Sequence, residues 1–127
     1  MIDVDTSAVM AMVLKEAQAT ACAKAVADDE QVLISAGTLA ELLIVAAGRG
    51  VAEEALRTVE ELGFEVVAVT APSALRVAEA YRRWGKGYHP TALNFGDCFA
   101  YELARERECA LLFVGKDFAR TDVESVL

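Results

Sequence analysis

Four acidic residues sit where a carboxylate can do chemistry: Asp5, Glu41, Asp97 and Asp117. Asp97 lies in "LNFGDCFAYELA", residues 93 to 104, with Ala100, Tyr101 and Ala104 three, four and seven positions on. Those residues share its side of an α-helix, so its carboxylate faces apolar surroundings. Such a placement is costly unless something pairs with the charge. Glu41 is in the same position, with Gly37 and Thr38 behind it and Ile44 and Val45 ahead. Two like charges about 5 Å apart repel by on the order of 3 kcal/mol at an effective dielectric of about 20. A small domain with a total stability of roughly 5–15 kcal/mol tolerates few such pairs. A divalent cation among them reverses the sign of the interaction. Oxygen ligands without a Cys or His cluster favour Mg²⁺ or Mn²⁺ over Zn²⁺, and the sole histidine, His89, makes no zinc site alone.

An acidic cluster holding such a cation suits phosphodiester hydrolysis, in which the metal activates a water and neutralises charge on the phosphate. One carboxylate can also accept the proton of that water. Each acid has a plainer explanation as well. Asp5 can cap the helix that opens at Thr6-Ser7. Thr38-x-x-Glu41 fits a capping box. Asp97 suits the dipole of a first helical turn with Asn94 as its cap, and Asp117 suits a turn after Gly115. What favours chemistry is that all four fall toward one edge of the same sheet.

The elements that must position them follow from periodicity. Residues 1 to 5 alternate, with Ile2 and Val4 facing one way and Asp3 and Asp5 the other. An Ala-rich helix opens at Thr6-Ser7, breaks, and resumes before Asp28-Asp29. "QVLIS", 31 to 35, is a second strand; helices follow over Thr38 to Ala47 and about Ala52 to Leu62. "FEVVAV", 64 to 69, is a third strand, and Thr70-Ala71-Pro72 starts a helix reaching about Trp84. After the loop "GKGYHP" come the helix of Asp97, the strand "ALLFV" at 110 to 114, and a short strand near Glu124 to Leu127. Strands alternating with helices imply an α/β domain with a mainly parallel sheet, whose sites form beyond the carboxyl ends of its strands. Asp5 ends the first strand, and Asp117 comes three residues after the late one.

Composition sets the outer bounds. A chain of 127 residues, 55% hydrophobic, suits one compact domain, and no apolar stretch approaches the roughly 20 residues that span a bilayer. "MIDVDTSA" has no basic n-region, which argues against a secretory signal. Cys22, Cys98 and Cys109 have no metal-ligand spacing and read as free thiols in a reducing cytoplasm. A net charge of −8 excludes a passive nucleic-acid coat, although not an enzyme with a metal and a local basic patch. "YRRWGKGYH", 81 to 89, supplies such a patch: Arg82, Arg83 and Lys86 interleaved with Tyr81, Trp84 and Tyr88, the pattern of a single-strand grip. Lys116 is a second phosphate contact by type. The same cations also suit a solvated helix C-terminus.

"DTSA" at 5 to 8, "TLAE" at 38 to 41, "LNFGDCFAYELA" at 93 to 104 and "LLFVGKDFARTDV" at 111 to 123 together resemble PIN-domain ribonucleases, and more narrowly the VapC-type toxins of bacterial VapBC toxin–antitoxin pairs. The resemblance covers essentially the whole chain as a single PIN domain, residues 1–127. It implies a three-layer α/β/α domain and an Mg²⁺- or Mn²⁺-dependent endoribonuclease. The family's acidic quartet falls on Asp5, Glu41, Asp97 and Asp117, with Thr6, Ser7 and Asp122 as helpers around the metal. It further implies a homodimer held inactive by a VapB-type antitoxin, whose C-terminal segment covers the site and often places an Arg among the carboxylates. Two positions depart from the pattern. Asp3 stands where an apolar residue is usual, as a surface substitution or an outer-sphere group. Lys116 stands where a smaller polar or acidic residue is common.

Two other readings remain open at this stage. "DVDTS", 3 to 7, approaches the opening motif of haloacid-dehalogenase-type phosphatases, with Asp3 as nucleophile and Asp5 as acid/base; Ser7 departs from that motif. A non-enzymatic interaction module binding a basic peptide through its acids is the other.

Overall fold

The structure, a computed structural model, describes all of residues 1–127. Four strands, β1 (Ile2–Val4), β2 (Val32–Ser35), β3 (Glu65–Val67) and β4 (Ala110–Leu112), form one sheet in the order β3-β2-β1-β4. Every pairing is parallel, with Asp3 beside both Leu33 and Leu111. Chain order runs outward from β1 through β2 to β3 and then returns to place β4 on the other side. The reversal therefore lies between β1 and its two neighbours, and the crevice beyond their carboxyl ends is the expected site.

Six helices complete the chain: α1 (Thr6–Val13), α2 (Ala19–Ala27), α3 (Ala36–Gly48), α4 (Ala52–Glu61), α5 (Ala71–Trp84) and α6 (Phe95–Glu106). They cover both faces of the sheet, which is the three-layer α/β/α arrangement. Ile2, Val4, Val32, Ile34 and Leu112 pack with residues of α1 to α4 on one face. Leu111 and Phe113 pack with Val77 and Ala80 of α5 and with Cys98, Ala100, Tyr101 and Ala104 of α6 on the other. Burying each large apolar side chain contributes roughly 1.5–3 kcal/mol, so two such layers hold the strands without help from disulfides. The cysteines are all free, with Cys22 and Cys98 buried. No helix is long and apolar enough to cross a membrane.

Local chemistry starts α5 where the sequence predicts, whereas α3 begins at Ala36, two residues before the expected Thr38. Thr70 and Ser73 make a reciprocal capping box ahead of α5, with Pro72 in the first turn. The predicted strand at the C-terminus is reduced to one bridge, Ser125 with Leu111, flanked by hydrogen bonds from Leu111 N–H to Glu124 and from Val126 N–H to Leu111. So short an edge segment sustains no further ladder.

Asp3 departs from expectation. It is not a surface substitution: it is fully buried beneath α6, its Oδ1 accepts from the Val4 N–H, and its Oδ2 has no partner. Burial pushes its carboxyl well above the ordinary range, and the charges of Asp5 and Glu102 add to the shift. A side chain sealed from solvent cannot attack an external phosphate ester, which removes the phosphatase reading. Asp3→Asn is expected to raise stability at pH 8 by about 1–3 kcal/mol, because it removes an ionisable group that has no partner. Chemical denaturation measures this directly, and a loss of stability would show that Asp3 has a hidden partner.

Candidate active site

Asp5 follows β1 and caps α1. Its Oδ2 accepts from the Ser7 N–H at 3.1 Å and from the Ser7 hydroxyl at 2.6 Å. Ser7 Oγ in turn accepts from the Val114 N–H at 3.0 Å, so one hydroxyl ties the end of β1 to the segment leaving β4. Capping leaves Asp5 Oδ1 buried and without a partner. Burial raises the Asp5 carboxyl to about 6, and the Glu41 charge pushes in the same direction.

Glu41 reaches this point from the second turn of α3. Ser35, not Thr38, caps that helix by accepting from the Gly37 N–H, and Thr38 lies buried inside it. The capping-box explanation of Glu41 therefore fails. Its Oε1 instead accepts from the Thr6 hydroxyl at 2.7 Å, across from α1.

Asp97 completes the capping box of its helix, whose cap residue is Asn94. Asn94 and Asp97 form a reciprocal box, Asp97 N–H to Asn94 Oδ1 at 2.8 Å and Asn94 N–H to Asp97 Oδ2 at 2.9 Å. The residue is 7% exposed. Its carboxyl is raised to about 7, by burial first and then by the charges of Asp5, Asp117 and Glu41. Asp97 is thus within electrostatic reach of the other three predicted acids, and Asp5 of Glu41. Asp117 supplies the open side: it is exposed, two residues after Gly115, whose φ of +100° turns the chain after β4. The backbone carbonyl of Asp117 accepts from the Thr91 hydroxyl at 3.1 Å, which anchors this loop to the one before α6.

The donor set is oxygen only, and Asp5 Oδ1 is a buried acceptor without a partner. No three of the carboxylates stand close enough together to form a closed ligand set. The residues fit a hard divalent cation by type and by this unsatisfied oxygen.

Asp122 is placed elsewhere. Its Oδ1 accepts from the Tyr101 hydroxyl at 2.7 Å, and its Oδ2 lies 3.5 Å from Arg83 and 3.9 Å from Arg105. The Tyr101 hydroxyl also accepts from Trp84 Nε1 at 2.9 Å. The tentative RNA contacts divide in a similar way. Arg82 is paired with Glu79, and Arg83 lies over the Trp84 ring as well as against Asp122. Lys86 and Lys116 are exposed and make no ion pair within the chain. Trp84 is packed against His89 and Tyr101, so the exposed aromatic surface is that of Tyr88 and Phe95.

Sequence reasoning missed two contributors. Thr91 holds the Asp117 loop, and nothing in its local sequence signals that role. Gly96 lies against Glu41, and the only signal was a glycine inside a helical run next to Asp97.

An α/β domain with an all-parallel sheet in the order β3-β2-β1-β4 and helices on both faces is the architecture of a PIN domain, and residues 2–124 match that family. The chain belongs to the PIN-domain family, in the group of the VapC ribonucleases. It is 46% identical to Ribonuclease VapC36 of Mycobacterium tuberculosis, over 95% of this chain and 90% of that one. Ribonuclease VapC of Mycolicibacterium smegmatis is 39% identical, over 97% and 98%. Among solved structures, VapC20 of M. tuberculosis, described as a Sarcin-Ricin loop cleaving toxin, superposes with a TM-score of 0.79 at 20% identity, covering 99% of this chain and 98% of that one. VapBC2 of Rickettsia felis, solved bound to a DNA fragment from its promoter, gives 0.71 at 16% identity, over 98% and 96%.

Proposed function

We propose that this chain, a single PIN domain over residues 1–127, is a divalent-metal-dependent endoribonuclease and the toxin of a type II toxin–antitoxin module. The observation that carries the reading is that the charges of Asp5, Asp117 and Glu41 all act on Asp97, while Asp5 Oδ1 is buried without a partner. Relatives named as VapC ribonucleases at 39–46% identity over nearly the whole chain support it.

In this reading Asp5, Glu41, Asp97 and Asp117 hold Mg²⁺, with Mn²⁺ able to substitute. When bound, the cation supplies an activated water and offsets charge on the scissile phosphate. The protein's own contribution is placement. Ser7 fixes Asp5 through Oδ2 and keeps Oδ1 free. Thr6 orients Glu41, and the Asn94 N–H fixes Asp97 Oδ2 at the start of α6. Burial and the neighbouring acids raise the metal-free Asp97 carboxyl to about 7, and a bound cation would favour its ionised form. Lys86 and Lys116, which have no partners within the chain, would meet flanking phosphates, while Arg82 and Arg83 would first have to leave Glu79 and Asp122. Asp122 acts in this scheme as a structural acceptor for Tyr101 rather than at the metal.

A cognate VapB-type antitoxin is the proposed partner, since solved structures sharing this fold include VapBC complexes. An antitoxin guanidinium among the four carboxylates would offset their repulsion much as a cation does. A homodimer and a cytoplasmic location complete the proposal; three free cysteines, two of them buried, suit that compartment. The test is cleavage of a structured RNA pool by the purified chain with Mg²⁺ and then with EDTA. Cutting that stops with EDTA and returns with excess Mg²⁺ or Mn²⁺ is the expected result. Binding of a basic peptide with no cutting, unaffected by metal, would favour an interaction module instead.

A further inference from the structure

Gly96 occupies the second position of α6, where glycine has no conformational reason to be. Its φ is not positive, and alanine is the better helix former there. The reason lies across the helix pair. A Cβ on Gly96 would stand 1.7 Å from Glu41 Oε2 and 2.3 Å from its Cδ, far inside contact distance. The same happens in reverse: a Cβ on Gly37 of α3 would stand 2.3 Å from the ring of Phe99 in α6. The two helices thus clasp by exchange, each receiving a side chain of the other where it has none of its own.

For Glu41 the exchange has a chemical consequence. The half-buried Glu41 carboxylate stands within electrostatic reach of both Asp5 and Asp97, so it sits among like charges. Only two features hold it there, the Thr6 hydroxyl on one side and the space over Gly96 on the other. That space also sits at the amino end of α6, where a negative charge is favoured by the helix dipole. We infer that Gly96 is a positioning residue of the metal site, its absent side chain forming the seat that holds the Glu41 carboxylate beside Asp97. The inference rests on the assignment of Glu41 to that site.

The experiment is a cycle of Gly96→Ala, Glu41→Ala and the double variant, read by Mn²⁺ titration and by thermal melting in EDTA. Gly96→Ala is expected to weaken Mn²⁺ binding by about tenfold or more, as loss of an outer-shell support does. In the Glu41→Ala background the same change should leave Mn²⁺ affinity unaltered. It should also raise the melting temperature there, because the seat is empty and alanine favours the helix. In the wild-type background that gain should be absent. Weakening of Mn²⁺ binding by Gly96→Ala to the same degree in both backgrounds would overturn the proposal, since the glycine would then act without Glu41. Glu41→Ala weakening Mn²⁺ binding while Gly96→Ala does not would overturn the seat alone. Glu41→Ala without any loss would overturn the assignment of Glu41 and the seat with it.

Discussion

Asp97→Asn is expected to lower RNA cleavage by roughly 10²–10³-fold or more while making the metal-free protein more stable at pH 8. The two effects have one cause. Asp97 is buried beside Asp5, Asp117 and Glu41, and its carboxyl is raised to about 7, so at pH 8 the fold carries an ionised group that it disfavours. Asparagine keeps an oxygen to accept from the Asn94 N–H, so the capping box survives and only the charge is lost. A rise from the usual aspartate value near 4 to about 7 corresponds to at most about 4 kcal/mol, and sharing of protons with Asp5 reduces the net gain to about 1–3 kcal/mol. Denaturant melts in EDTA and a cleavage assay in Mg²⁺ read the two quantities separately. A variant that cuts like wild type would remove Asp97 from the site. One that is destabilised would mean that the carboxylate is paired in a way the structure does not show.

Metal-free protein should lose stability as the pH rises from about 4 to about 7, and divalent metal should restore it. The sign follows from the direction of the shifts. Asp5 is raised to about 6 and Asp97 to about 7, so between the unfolded value near 4 and those values the native state binds more protons than the unfolded chain. Stability is fully present below the unfolded value and is lost as pH rises through the folded ones. Asp3 and Glu102 are shifted the same way by burial, although Arg76 partly offsets the shift at Glu102. The expected loss is on the order of 3 kcal/mol across this window, allowing for coupling among the acids. At a hundred times its dissociation constant, a bound cation returns about 2.7 kcal/mol. Urea denaturation at a series of pH values, with EDTA and with Mg²⁺, provides the measurement. A stability curve in EDTA that rises from pH 4 to 7 would show that the carboxylates are already paired, and the metal reading would lose its main physical support.

Both expectations depend on residues that also serve the fold, and this is where sequence and structure part. The alternation of Ile2 and Val4 with Asp3 and Asp5, the apolar runs at 31 to 35 and 110 to 114, and the Thr70-Ala71-Pro72 start are local signals. Each survived folding within a residue or two, because strand alternation and helix capping are decided over one turn of chain. From these alone the order of strands and helices follows, and with it the placement of Asp5 and Asp117 beyond strand ends. The acids at those ends were therefore legible as candidates for one site before any contact was known.

Tertiary structure decided the matters that depend on which segments touch. Asp5 caps α1 and Asp97 completes the capping box of α6, whereas Glu41 takes no part in capping, because Ser35 takes that role and Thr38 is buried. Asp3 shares alternation with Asp5 yet lies sealed under α6, since its fate depends on what covers that face of the sheet. Asp122 is close to Asp117 in sequence and is nevertheless captured by Tyr101, Arg83 and Arg105. Gly96 reads in sequence as a weak point in a helix and becomes intelligible only when α3 is packed against it. Periodicity assigns a side chain to a face; only the packing of distant elements determines what that face meets, and burial then sets whether a carboxylate there is a cap, a ligand or a cost.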